Sequence, residues 1–154
     1  MYLMTVLLLM AVFPISSIGV DHFYFHNSLP LMLLVGKWFV FWAAGVRLFV
    51  AGLRQFFQPR FTAEEIFHVT SADALPFVRE LGVANFATGI TGMVSLAKLS
   101  FVPPVAVIAG IFYGVAGIRH VAEKGRTGNE NIAMISDLLV FLVFAGYVGF
   151  VVLA

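Results

Sequence analysis

Five long, mainly apolar stretches, each about as long as a bilayer is thick, constrain this chain more than any other feature. They cover residues 1–20, 30–57, 75–97, 101–120 and 131–154. A helix needs ~20 mostly apolar residues to cross hydrocarbon. Within hydrocarbon, backbone polar groups must be satisfied inside a helix or a closed barrel. Barrel strands alternate apolar and polar residues over ~10 positions, and these stretches do not alternate. The sequence therefore predicts an all-α fold. It is one membrane domain over residues 1–154, a helical bundle of about five transmembrane helices with a core of four plus an N-terminal span. The chain is 61% hydrophobic and 11% charged, against about 45–50% and about 25% in soluble domains. A water-soluble fold of this size could not hide so much apolar surface.

Charge and cysteine content exclude further classes. A net charge of +1 gives no electrostatic footprint for nucleic acid. With no cysteine, disulfides, thiol relays, covalent c-type haem and cysteine-ligated clusters are excluded. Ser17 and Gly19 have the small-residue spacing of a signal cleavage site, but no basic start precedes them. A retained span is the preferred reading and a cleaved leader the alternative.

The connectors carry helix-start signals. Thr62-Ala-Glu-Glu65 fits a capping box. It predicts a short amphipathic helix over 62–69, with Ile66 and Phe67 on the membrane surface. Asp73 is expected to cap the third span, with Pro76 in its first turn. Thr127-Gly-Asn-Glu130 is a second capping box before the fifth. Arg54, Arg60, Arg79, Arg119, Lys124 and Arg126 flank the 2–3 and 4–5 connectors, while Lys37 and Lys98 flank the other side. By the positive-inside rule the richer side is cytoplasmic. The N-terminus is then inside, the C-terminus exterior, and residues 21–30 form an exterior loop.

Projection at 100° per residue sorts each span into faces. On the third span Glu80, Ala84, Asn85, Ala87, Thr88, Thr91, Gly92 and Ser95 share a small or polar face, opposite Val83, Phe86, Ile90, Met93 and Val94. On the fourth, Ala106, Gly110, Gly114 and Gly117 lie beside Ala109, Tyr113, Ala116 and His120, opposite Ile108, Ile111, Phe112, Val115 and Ile118. Small residues let helices approach closely in lipid, so these faces are expected to pack and the bulky ones to meet acyl chains.

The second span aligns Gly36, Val40, Ala44, Arg47, Ala51 and Arg54. An arginine at this depth costs at least ~2.5 kcal/mol and needs a partner. At 1.5 Å per residue, Glu80 lies ~7 Å, Asp137 ~9 Å and Arg47 ~12 Å from the cytoplasmic ends of their spans. Asn85, Tyr113 and His120 sit at compatible levels. These six form the candidate ligand-binding or buried polar cluster, with Arg47 expected to pair with Glu80, Asp137 or both. It reads either as a polar knot that fixes helix register or as a cavity for a small ligand or proton.

Other signals are weaker. Asp21-His22 and His26 have a spacing that can ligate a metal. No third ligand is evident, so they read as solvated, as does His68. Only His120 lies near a span, which argues against haem held by two histidines. Trp38, Trp42 and Tyr2 are expected interface anchors. No complete catalytic set is visible, and no catalytic residue, metal or cofactor is predicted.

Several runs also resemble a family. They are Lys37-Trp-Phe-Val-Phe-Trp-Ala-Ala-Gly-Val-Arg47 through Arg54-Gln55, Phe61 to Phe67, Arg79-Glu80-Leu-Gly82-Val-Ala-Asn85, and Asn129-Glu-Asn131 leading to Ser136-Asp137. Together they resemble an uncharacterised family of small bacterial multi-pass membrane proteins, a domain of unknown function. The resemblance implies a bacterial inner-membrane setting and no reaction. A looser similarity, in size and helix arrangement, is to DoxX-type four-helix membrane proteins, some of them subunits of quinone-linked oxidoreductases. The favoured function is a non-enzymatic accessory or small-ligand or lipid-binding subunit. Its expected partners are membrane lipids and another membrane protein or a second copy. The alternatives are a small transporter or proton-linked carrier, and a quinone-binding subunit using His120 and Tyr113.

Overall fold

The computed structural model describes residues 2–123 and 125–154, without the side chain of Tyr2. The expected anchoring by Tyr2 and the position of Lys124 in the charge count lie outside the described residues. Six helices run in order: α1 Leu3–Tyr24, α2 Leu31–Phe57, α3 Pro59–Glu65, α4 Leu75–Val94, α5 Val102–Ala122 and α6 Gly128–Leu153. A 3-10 turn, Leu99–Phe101, extends α5 at its start. There is no strand among the described residues.

Among the described residues four helices are long and apolar enough to cross a membrane: α1, α2, Leu99–Ala122 and α6. The expected third span, α4, is a 20-residue helix outside that set. It carries Arg79, Glu80 and Asn85 along with several small polar residues. Its partner explains how it is held. α4 lies along α2 in glycine-mediated backbone contact. A Cβ on Gly52 would fall 2.5 Å from the Phe86 nitrogen and 2.6 Å from the Gly82 oxygen, and one on Gly92 would fall 2.7 Å from the Gly45 Cα. Gly89 meets the Phe49 backbone in the same way. No side chain can enter this seam.

The expected face of α4 is therefore displaced. Its buried stripe is Val78, Gly82, Asn85, Gly89 and Gly92, while Glu80, Ala84 and Ala87 are exposed. Phe86, expected in lipid, stacks on Phe49 with ring centroids 5.2 Å apart. Glycine, with no side chain at all, decides the contact over alanine and threonine.

α5 and α6 form the other close pair, and here the predicted faces are present. Ala106, Ala109, Gly110, Tyr113, Gly114, Gly117 and His120 are buried. Ile108, Ile111, Val115 and Ile118 are exposed; Phe112 is half-buried. The glycines receive side chains from α6: Phe141 at Gly114, Leu138 at Gly117 and Phe144 at Gly110. The start of α2 closes the two pairs into one bundle, with the Tyr147 ring of α6 seated on Gly36. The core gathers Met10 from α1, Phe39, Val40, Ala44 and Leu48 from α2, Val105 and Tyr113 from α5, and Val140 and Phe144 from α6.

The connectors depart from the sequence reading in three places. α1 continues through Asp21 to Tyr24, so the loop expected from residue 21 begins after it. α3 spans Pro59–Glu65 with Thr62 buried inside it; Pro59 starts it, since a first-turn proline loses no hydrogen bond. Ser71, not Asp73, supplies the cap before α4, its hydroxyl accepting the Asp73 N–H at 3.3 Å. The second capping box forms as expected. Glu130 accepts from the Thr127 N–H at 2.6 Å, and the Thr127 hydroxyl accepts from the Glu130 N–H at 3.3 Å.

Candidate functional site

α2 is not uniform. Val40–Val46 is wound as a π-helix, a local widening often found where side chains must be re-aimed. The Arg47 N–H reaches the carbonyls of Trp42 and Ala44. The Ala43 carbonyl, which a regular α-helix would offer to Arg47, instead accepts the Tyr113 hydroxyl of α5. The change of winding thus creates an acceptor inside the bundle, and Tyr113 fills it. The same step turns Arg47 towards α6.

Arg47 donates to Asp137 Oδ1 at 3.1 Å, and its guanidinium carbon lies 5.0 Å from the Tyr113 ring centroid. The side chains are 16% and 8% exposed. This ion pair ties the α2–α4 half to the α5–α6 half. His120 lies within electrostatic reach of Asp137, and its Nδ1 is 3.0 Å from Glu123 Oε2. Four of the six expected members, Arg47, Asp137, Tyr113 and His120, are thus brought together. Two are elsewhere. Asn85 is buried but donates to Gln55 at 2.8 Å across the α2–α4 seam. Glu80 is exposed and joins no ion pair among the described residues, because the glycine seam rotates it outward.

Beyond His120 the polar side chains continue to the surface. Glu130, buried in the first turn of α6, has Oε1 2.9 Å from His68 Nε2. His68 is 60% exposed and has a φ of 52°, a left-handed backbone that costs a non-glycine residue energy. His68 read as solvated in sequence; here it is paired. Glu130 was read only as part of a capping box, and Glu123 was not singled out in the sequence. Their signal was the short link between α5 and α6, which sets the end of one helix beside the start of the next.

A second missed site lies at the opposite end of α2. Asp21 accepts from Lys37 at 2.6 Å, from Trp38 Nε1 at 2.9 Å and from Asn27 at 2.9 Å. Trp42 Nε1 donates to Ser17 at 3.0 Å. Both tryptophans, expected as interface anchors, fasten α1 to α2. A single acid and a single base on either side of a proline-marked turn, in otherwise apolar runs, was the signal. His22 and His26 are exposed.

Two clefts lie away from Arg47. One of about 220 Å³ is lined by Ser16, Ser17, Asp21 and Trp38, and one of about 200 Å³ by Arg60, Glu64, Thr70 and Ser71. No buried side-chain nitrogen or oxygen among the described residues lacks a hydrogen-bond partner. The Arg47–Asp137 centre is a hydrogen-bonded network in which each buried side-chain polar atom has a partner.

The chain belongs to a family of unknown function, DUF6790, whose model matches residues 1–154. No curated protein and no solved structure matches it.

Proposed function

We propose that this member of the DUF6790 family is a multi-pass protein of the bacterial inner membrane and a non-enzymatic subunit that binds a small ionic ligand. The Asp137 end of the bundle faces the cytoplasm in this reading. One observation carries it. Arg47, Asp137, His120, Glu130 and His68 run in sequence from a buried ion pair to an exposed imidazole. Ionisable groups at membrane depth are costly and by default mark a binding or transfer site.

The alternatives have less support. A carrier needs a polar path to both faces, and the stretch of α2 between Lys37 and Arg47 buries Phe39, Val40, Ala43 and Ala44. A quinone headgroup needs a slot of about 300 Å³, and neither main cleft is lined by His120 or Tyr113. The test is native mass spectrometry of the full chain taken from its own membranes into mild detergent. We expect a small ionic adduct that Asp137→Asn diminishes. Absence of any adduct, or one indifferent to Asp137→Asn, would overturn the reading.

A further inference from the structure

The outer part of this polar run has the chemistry of a metal centre. His120 stands in the last turn of α5, Glu123 just beyond it and Glu130 in the first turn of α6. One imidazole nitrogen and one oxygen from each carboxylate all lie within 4.8 Å of one another. We propose that His120, Glu123 and Glu130 bind a divalent first-row transition-metal cation of the Zn²⁺ or Mn²⁺ class, with His68 orienting Glu130. This deepens the binding reading above and rests on it for the location of the site.

Three features carry the assignment. The first is the donor set. One imidazole and two carboxylates suit borderline divalent ions and leave a position for water or a further ligand. The second is charge. Two carboxylates converge here, and Arg126, a fixed cation on the connector, is committed to other acceptors. It donates to the carbonyls of His120, Val121 and Glu123 and to Asn131. Arg119 reaches only Glu123, at 3.3 Å, from a half-exposed position. A bound dication would balance the pair of carboxylates.

The third is preorganisation. The Arg126 fork holds the backbone of two ligands at the end of α5. The capping box holds Glu130 through Oε2, and His68 holds it through Oε1. His68 can donate to one lone pair of that oxygen while the metal takes the other, the usual way a neighbouring group fixes a ligand. The three ligands come from both ends of one connector, so the ion would also clamp α5 to α6.

The test uses the full chain in detergent, stripped with a chelator and titrated with zinc, manganese and magnesium chlorides. Metal retained through gel filtration and the shift in thermal unfolding are the readouts. One zinc or manganese per chain is expected, with magnesium held much more weakly. Glu123→Gln and Glu130→Gln should each weaken zinc binding by at least about tenfold. Glutamine also serves in a capping box, so Glu130→Gln keeps the start of α6. Glu64→Gln, on the exposed face of α3, should change nothing. No retained zinc or manganese, equal retention of magnesium, or indifference to both variants would overturn the site. The adduct experiment separates the two ideas. A small ion lost with Asp137→Asn but kept in Glu123→Gln, with no zinc or manganese retained in any form, would sink the metal site and leave the binding reading standing.

Discussion

Two ion pairs hang from α2, ten positions apart, and they are built differently. At one end Asp21 is saturated: Lys37, Trp38 and Asn27 all donate to it. At the other, Asp137 accepts from Arg47 at 3.1 Å, with His120 close by and two further carboxylates beyond. The first acid would keep two neutral donors if its base were removed. The second would lose the donor that ties it to α2. A carboxylate satisfied from three sides is a structural fastener. One held by a single donor, Arg47, stands or falls with that donor.

The contrast is broken most directly at Arg47. Arg47→Ala leaves Asp137 buried without its donor, and the expected loss is about 3–5 kcal/mol, typical of a broken buried pair. Reversible unfolding of the full chain in mixed micelles measures it. The double variant Arg47→Met with Asp137→Leu should regain much of the loss if the pair only holds the fold, since apolar replacement of both partners is often neutral. Lys37→Met should cost less, about 1–3 kcal/mol, because Trp38 and Asn27 still serve Asp21. Equal losses from the two single variants would erase the distinction.

These particulars show how far the sequence could be read. Apolar run length pointed to the helices, and the Thr127–Glu130 capping box is present as its spacing implied. The pairing of Arg47 with Asp137 followed from the cost of an unpaired charge in hydrocarbon. Three things were not legible. The π-turn in α2 shifts the helical phase, so a projection at 100° per residue drifts past Val40–Val46 and misplaces the residues beyond. Gly52, Gly82 and Gly89 carry the tightest helix contact, yet spacing pointed equally to Gly114, where the neighbour is only the Phe141 side chain. The Asp21–Lys37 and His68–Glu130 contacts join separate elements, and their distances depend on how the turns close.

Thr127→Ala tests the lower end of the Asp137 region without touching its charges. It removes the hydroxyl that accepts the Glu130 N–H and loosens the first turn of α6. A cap of this kind is worth about 1 kcal/mol. If Glu130 is a metal ligand, the variant should also weaken zinc retention, while Ser71→Ala, at the cap before α4, should leave zinc retention unchanged. Equal effects of the two on zinc would detach the capping box from the site.

The smallest effect is expected at Glu80, and it sharpens the comparison most cleanly. Sequence position alone treats Glu80 and Asp137 as equivalent partners for Arg47, two acids at similar depth. The glycine seam between α2 and α4 separates them, because backbone contact at Gly82 leaves one possible rotation of α4 and places Glu80 outside. Its carboxylate is therefore exposed, where loss of its charge changes little. Glu80→Gln should alter stability by no more than about 0.5 kcal/mol, the range of ordinary surface changes. Asp137→Asn should cost several times as much, because it weakens the bond that joins Arg47 to α6. The two variants, unfolded side by side in the same micelles, decide whether depth or rotation governs the role of an acid in this bundle. A loss at Glu80 as large as that at Asp137 would mean that α4 turns its acidic face inward, and the seam drawn through Gly52, Gly82 and Gly89 would be wrong.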